Sequence, residues 1–178
     1  ARVDADSVSR CTRFEKQLSF LEQHHDVAAV GTYVKKINKP QESIYIETPP
    51  QEHEAIIKKL VHRNPMVHPS MMIRKQALLN IGNYREFHWE DYELLTRFAS
   101  SQNDYRLANL GEILVTVYKR SDSITGNTSI IKRGVANLHC GSLAIKRRGH
   151  SPIKTAYLNI SQFLYLFWLG IKLQQKRV

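Results

Sequence analysis

The chain has 178 residues, 42% of them hydrophobic, which suits one globular domain with an ordinary core. Its net charge of +10 is unevenly placed: no acidic residue follows Asp122, whereas Lys132, Arg133, Lys146, Arg147, Arg148, Lys154, Lys172, Lys176 and Arg177 do. The nearly neutral body argues against a nucleic-acid-binding core, and the basic tail favours an anionic partner such as phospholipid, nucleic acid or an acidic surface.

In chain order, Val3-Asp4-Ala5-Asp6 reads as a strand running into a loop with two carboxylates at its tip. Thr12-x-x-Glu15 fits a capping box, and Cys11, Phe14, Leu18 and Leu21 recur at helical spacing, so a helix is expected from Thr12 to His24. His24-His25 has no partner at i+4 spacing and reads as a surface pair. Val27 to Ile37 is rich in valine and predicts a strand; Asn38-Lys39-Pro40 breaks it, and Ile44-Tyr45-Ile46 reads as a short return strand. After Pro49-Pro50 a helix is expected from Glu52 to His62, then a short buried strand from Met71 to Arg74. A short helix over Gln76 to Ile81 should end at Gly82, a favoured C-cap residue. Glu90 to Ser100 is amphipathic, with Leu94, Leu95 and Phe98 inward and Glu93 in solvent. Ile113 to Tyr118 alternates as a strand, Ser121 to Thr128 is turn-rich, and Ile130 to Ile145 reads as helix. Gly149-His150-Ser151-Pro152 then separates this body from a last helix, Ile153 to Gln175. Cys11 and Cys140 form no C-x-x-C and no metal-ligand spacing, which predicts two reduced, buried thiols of a cytosolic protein.

The chemistry rests on two acidic sites. Asp4 and Asp6 offer hard oxygen ligands, which suit Mg²⁺ or Mn²⁺, and such a cation suits a diphosphate. Trp89-Glu90-Asp91-Tyr92 opens a helix with carboxylates that need not touch the metal, so one could act as a general base. Metal, diphosphate and base together equip a sugar-nucleotide transferase. Each site also has a plain structural explanation: aspartate is common in turns at strand ends, and acidic residues are favoured at a helix N-terminus.

Ala1-Arg2-Val3-Asp4-Ala5-Asp6, Arg13-Phe14-Glu15-Lys16-Gln17, Val27-Ala28-Ala29-Val30-Gly31, His68-Pro69-Ser70-Met71-Met72-Ile73-Arg74, Ile81-Gly82-Asn83-Tyr84 and Glu90-Asp91-Tyr92-Glu93-Leu94 form a set. Over Ala1 to Ser123 this set resembles the middle of family 2 glycosyltransferases with the GT-A fold. The resemblance implies the second half of that α/β fold, a mixed sheet flanked by helices. A half that binds the base and ribose would precede it. It also implies that Asp6 ligates the metal while Asp4 approaches the ribose or a metal-bound water, although Ser7 stands where the family often has a further aspartate. Asp91 would be the base that takes a proton from the acceptor hydroxyl, with Glu90 its orienting neighbour, and a single displacement would invert the anomeric carbon. His68 would line the pocket. Trp89 would be either an acceptor-sugar platform or core. Family members often carry Tyr-Arg and then a histidine after the last strand; here Tyr118-Lys119-Arg120-Ser121-Asp122 has no histidine, and Lys119 and Arg120 remain to contact phosphate.

In the last helix Phe163-Leu164-Tyr165-Leu166-Phe167-Trp168-Leu169-Gly170-Ile171 is apolar or aromatic throughout, too short to span a bilayer, which needs about twenty residues. Basic clusters flank it, as in an interfacial helix on anionic lipid; packing on the domain or on a second subunit is the other reading. The expected organisation is therefore a metal- and acceptor-side half-domain over residues 1–148 and a membrane-docking segment over 149–178. The expected protein is a metal-dependent, inverting glycosyltransferase. It would move sugar from a nucleoside-diphosphate donor to a glycan or lipid-linked acceptor, as part of polysaccharide biosynthesis. It would sit in the cytoplasm, peripheral on the inner face of the cell membrane. The rivals are a non-catalytic acceptor and membrane-docking fragment and, behind it, a basic nucleic-acid-binding module, for which no recognised motif is present.

Overall fold

The computed structural model describes residues 1–38, 43–86, 89–119, 137–143 and 160. Its elements are β1 (Ser7–Ser9), α1 (Arg13–Gln23), β2 (Val27–Asn38), β3 (Ser43–Glu47), α2 (His53–Leu60), a 3₁₀ turn (His68–Ser70), β4 (Met72–Ile73), α3 (Lys75–Asn80), α4 (Glu90–Phe98) and β5 (Arg106–Lys119). Residues 137–143 are helical. The strands form a mixed sheet in the order β1-β5-β2-β3, with β4 also paired to β2. Among the described residues only β2 and β5 run parallel; the other pairs are antiparallel. The chain is thus α/β, with a mixed sheet flanked by helices.

The core follows from the pattern of burial. Val27 to Val30 of β2 are buried on both faces, which is how a strand reads when it is covered above and below. Ile56, Ile57 and Leu60 of α2 and Leu94, Leu95 and Phe98 of α4 pack with Ala28, Met71 and Leu107 in one cluster, the three of α4 as their helical spacing predicted. α3 ends as expected: Gly82 has φ +86° and Asn83 follows at φ 58°, two left-handed residues that turn the chain back sharply.

Several expectations need correcting. Among residues 1–4 no strand forms; the paired aspartates sit in a turn that leads into β1. Thr12 makes no side-chain cap bond, so the capping box is not formed. The buried face of α1 is not the apolar one. Phe14 and Leu18 are 46% and 52% exposed, whereas Arg13 and Gln17 are fully buried beside Leu21. The reason lies in the carbonyls beneath the helix. Gln17 Nε2 donates to the carbonyls of Val30 (2.9 Å) and Ser70 (2.8 Å), and Arg13 donates to Arg2 O (3.0 Å), Met71 O (3.4 Å) and Ser9 Oγ (2.8 Å). Buried carbonyls must find donors, and here two polar side chains supply them.

β5 begins at Arg106, well before Ile113, because Leu107, Ala108 and Asn109 are buried against β2 without showing strand alternation. Both cysteines are free, but Cys11 is exposed and only Cys140 is buried. The expected break at Lys39-Pro40, the turn over 121–128, the ends of the helix over 130–145 and the basic aromatic segment 153–175 lie outside the described residues, except for Ile160. Among the described residues no helix is long and apolar enough to cross a membrane.

Candidate active site

Three segments converge on the turn that carries Asp4 and Asp6. Ser7 closes that turn: its N–H donates to Asp4 O at 3.0 Å and its hydroxyl to the same carbonyl at 2.8 Å, while Asp4 N–H donates to Ser7 Oγ at 3.1 Å. Serine in place of a further acid therefore has a local structural use. Asp4 Oδ1 accepts from Arg2 Nε at 2.7 Å, and Arg2 N–H reaches Met71 O at 2.9 Å, which joins this turn to the segment entering β4. Tyr118 N–H donates to Asp6 O at 2.9 Å, so the end of β5, where Lys119 stands, lies beside the turn. The Lys119 side chain and Arg120 lie outside the described residues.

Across from this turn, α4 presents Glu90 and Asp91 in its first turn, where the helix dipole favours negative charge. Trp89, the residue before the helix, packs partly buried against the core cluster. His68 heads the 3₁₀ turn. Its Nε2 meets Tyr84 Oη at 3.0 Å, and its Nδ1 lies 4.0 Å from Glu90 Oε1. Asn64 Nδ2 donates to Asp91 Oδ2 at 2.7 Å.

Burial raises the Asp91 carboxyl above its ordinary value, Glu90 adds to that, and His68 together with the helix N–H groups of Asp91 and Tyr92 oppose it. Tyr84 is likewise raised by burial; Arg2 opposes the shift, and Asp91, Glu90 and Asp4 reinforce it. Tyr84 therefore stands in the field of both acidic sites. The structure brings Asp4, His68, Tyr84, Glu90 and Asp91 into one neighbourhood, and holds Asp6 by its backbone at the end of β5. Among the described residues no group of three or more histidines, cysteines or carboxylates is placed to hold a metal ion.

Glu93 corrects an expectation: it is 4% exposed rather than solvated. It pairs with Arg97, whose Nε lies 3.1 and 2.9 Å from its two carboxylate oxygens, and Arg97 Nη1 also donates to Ile81 O at 2.6 Å. The pair ties α4 to the turn that delivers Tyr84. Tyr84 and Asn64 were given no role from the sequence, although Tyr84 closes the Ile81-Gly82-Asn83-Tyr84 string of the resemblance; for Asn64 the signal was only an asparagine just before Pro65. A cavity of about 270 Å³ lies elsewhere, lined by His24, Asp26, Gln51, His53, Arg106 and Asn109 among others. It shares none of the clustered residues.

No family model matches the chain. The O-antigen biosynthesis glycosyltransferase WbnJ of Escherichia coli is 33% identical over 147 residues, 82% of this chain and 55% of that protein. The similarity is to glycosyltransferases. The amylovoran biosynthesis glycosyltransferase AmsE of Erwinia amylovora is 30% identical over 152 residues, 84% of this chain and 56% of its own. A UDP-Gal:alpha-D-GlcNAc-diphosphoundecaprenol beta-1,3-galactosyltransferase of Escherichia coli is 29% identical over 116 residues, 64% of this chain and 41% of its own. Relatives named as glycosyltransferases, at 30 to 34% identity over most of the chain, support a glycosyltransferase family. The chain spans about half the length of these relatives.

Proposed function

We propose that the chain carries part of the active site of a GT-A-type glycosyltransferase, in which Asp91 is the general base for sugar transfer from a nucleoside diphosphate. The observation that carries this reading is the setting of Asp91. It is a partly buried carboxyl at a helix N-terminus, held above its ordinary value by burial and grouped with His68, Tyr84, Glu90 and Asp4. A carboxylate of raised basicity is better suited to take a proton from an acceptor hydroxyl than an ordinary surface aspartate. The acceptor is a glycan or lipid-linked saccharide of polysaccharide biosynthesis; the diphosphoundecaprenol in one relative's name supports the lipid-linked form. A single displacement assisted by one base would invert the anomeric carbon.

The donor set fits a divalent cation. Asp4 and Asp6 are hard oxygen donors, and Mg²⁺ is commonly held by one or two carboxylates with substrate phosphates and water completing its shell. Bound there, Mg²⁺ or Mn²⁺ would supply charge stabilisation for the departing diphosphate. Arg2 neutralises part of the Asp4 charge, and the backbone bond from Tyr118 to Asp6 fixes the turn. His68 holds Tyr84 and flanks Glu90; Lys119 closes β5 beside Asp6, Arg120 is next in sequence, and these two would meet a phosphate. The basic aromatic segment 149–178 would hold the enzyme to anionic lipid at the cytoplasmic face of the membrane.

The test is transfer by the complete gene product. Asp91→Asn should keep donor binding and lose roughly 10²- to 10⁴-fold in the chemical step. Asp6→Ala should abolish the stimulation by Mg²⁺ or Mn²⁺ that chelation removes from the wild type. Unimpaired turnover by Asp91→Asn would end the assignment of the base, and unchanged metal response in Asp6→Ala would end that of the metal ligand.

A further inference from the structure

Asn64 lies in the loop between α2 and the 3₁₀ turn, next to the buried Pro65 and Met66. Its amide is fully directed. Oδ1 accepts the Met66 N–H at 3.0 Å, so Nδ2 is the end that faces Asp91 Oδ2, at 2.7 Å. The same stretch of chain grips the next residue of α4 as well: Tyr92 Oη donates to Leu60 O at 2.6 Å. Two neighbouring residues of α4 are thus pinned from the end of α2 and the loop that follows it, one of them by its carboxylate. An amide N–H aimed at a carboxylate fixes which way the oxygens point and supports the negative charge.

We propose that Asn64 is a positioning residue for Asp91, orienting its carboxylate and stabilising its charge through the Nδ2–Oδ2 hydrogen bond. This rests on the reading of Asp91 as the base, and it adds the group that sets how that base behaves. Besides the helix N–H groups of Asp91 and Tyr92, which also support its charge, the side chains facing Asp91 are Glu90 on its own helix, His68 from the 3₁₀ turn and Tyr84 from the turn after α3, with Arg2 and Asp4 beyond Tyr84. None of these side chains makes a hydrogen bond of 2.7 Å to a carboxylate oxygen of Asp91, as Asn64 does.

Two variants separate this role from that of a loop cap. Asn64→Ala removes both hydrogen bonds. Asn64→Asp keeps an oxygen for the Met66 N–H but loses the donor and adds a repelling carboxylate. Carboxyl ¹³C titration of Asp91 on the 178-residue chain should show its midpoint moving to higher pH in Asn64→Ala and further in Asn64→Asp. In the complete gene product the acid limb of kcat should move the same way, with KM for the donor little changed. A residue that only capped the loop would leave the Asp91 midpoint of Asn64→Ala unmoved, with a shift in Asn64→Asp alone reporting only the added carboxylate, and that pattern overturns the proposal. So does an unmoved Asp91 midpoint in whichever variant folds. Because the titration reads Asp91 directly, it decides the role of Asn64 even if Asp91→Asn retains activity and the base lies elsewhere.

Discussion

At Asp91 burial disfavours the ionised carboxyl, so the folded chain binds that proton more tightly than the unfolded chain does. Stability from this group is therefore fully present below the ordinary value of 3.8 and falls as pH rises through the higher folded value. Asp91→Asn should accordingly melt at a higher temperature than the wild type at neutral pH, with the gap closing in acid. The substituted amide can still accept from Asn64 through its oxygen. Calorimetric melts at neutral pH and below the carboxylate range check this, and a lower melting temperature at neutral pH would make Asp91 an anchor instead. A gain in stability together with lost turnover is the pattern expected of a group kept for chemistry at the expense of folding. The paired carboxylate sites were legible because they are local strings, Asp4-Ala5-Asp6 and Glu90-Asp91. Asn64 and Tyr84 were not, because their partners Asp91 and His68 lie far along the chain and nothing local marks the meeting.

Among the elements, α4 shows how one helix serves two purposes. Its inward face supplies Leu94, Leu95 and Phe98 to the core, its first turn presents the acids, and the Glu93–Arg97 pair locks it to the turn that carries Tyr84. Both members of that pair are buried, with side chains 6% and 7% exposed. Glu93→Ala would strand a buried guanidinium, and should lower unfolding free energy by about 3–5 kcal/mol in urea titrations. A loss below about 1 kcal/mol, the range of a surface pair, would mean that water reaches Arg97. Among the described residues periodicity located α1 and α4, but it missed which face of α1 is buried and placed Glu93 of α4 in solvent. Apolar spacing favoured Phe14 and Leu18, but the carbonyls of Arg2, Val30, Ser70 and Met71 needed donors, and Arg13 and Gln17 were the side chains that could reach them. The early part of β5 escaped notice for a related reason. Leu107-Ala108-Asn109 is covered on both sides by its neighbours, so it carries no alternation to read.

At the scale of the whole molecule, the parallel pairing of β2 with β5 is the axis on which both acidic sites hang. β5 reaches the Asp4–Asp6 turn at one end, and β2 pairs with β4, which leads from the His68 turn. The axis is tight at one point. A Cβ on Gly31 would lie 2.2 Å from Asn109 Oδ1, and that amide cannot turn aside easily because its Nδ2 is bound to Pro50 O at 2.7 Å. Gly31→Ala should therefore cost about 1–3 kcal/mol, as overpacking does, and thermal unfolding measures it. An unchanged melting temperature would mean that the strands part freely there. The register Val30↔Ala108 also has a consequence for the ribosome. β2 leaves the exit tunnel long before the strand that covers it has been made. At roughly 5–20 residues per second its valine-rich edge waits about 4–16 s for β5 to arrive. Throughout that interval the β5 side of β2 should stay an open strand edge even after β3 and β4 have paired, and a holdase chaperone that shields this edge should raise the yield in cells.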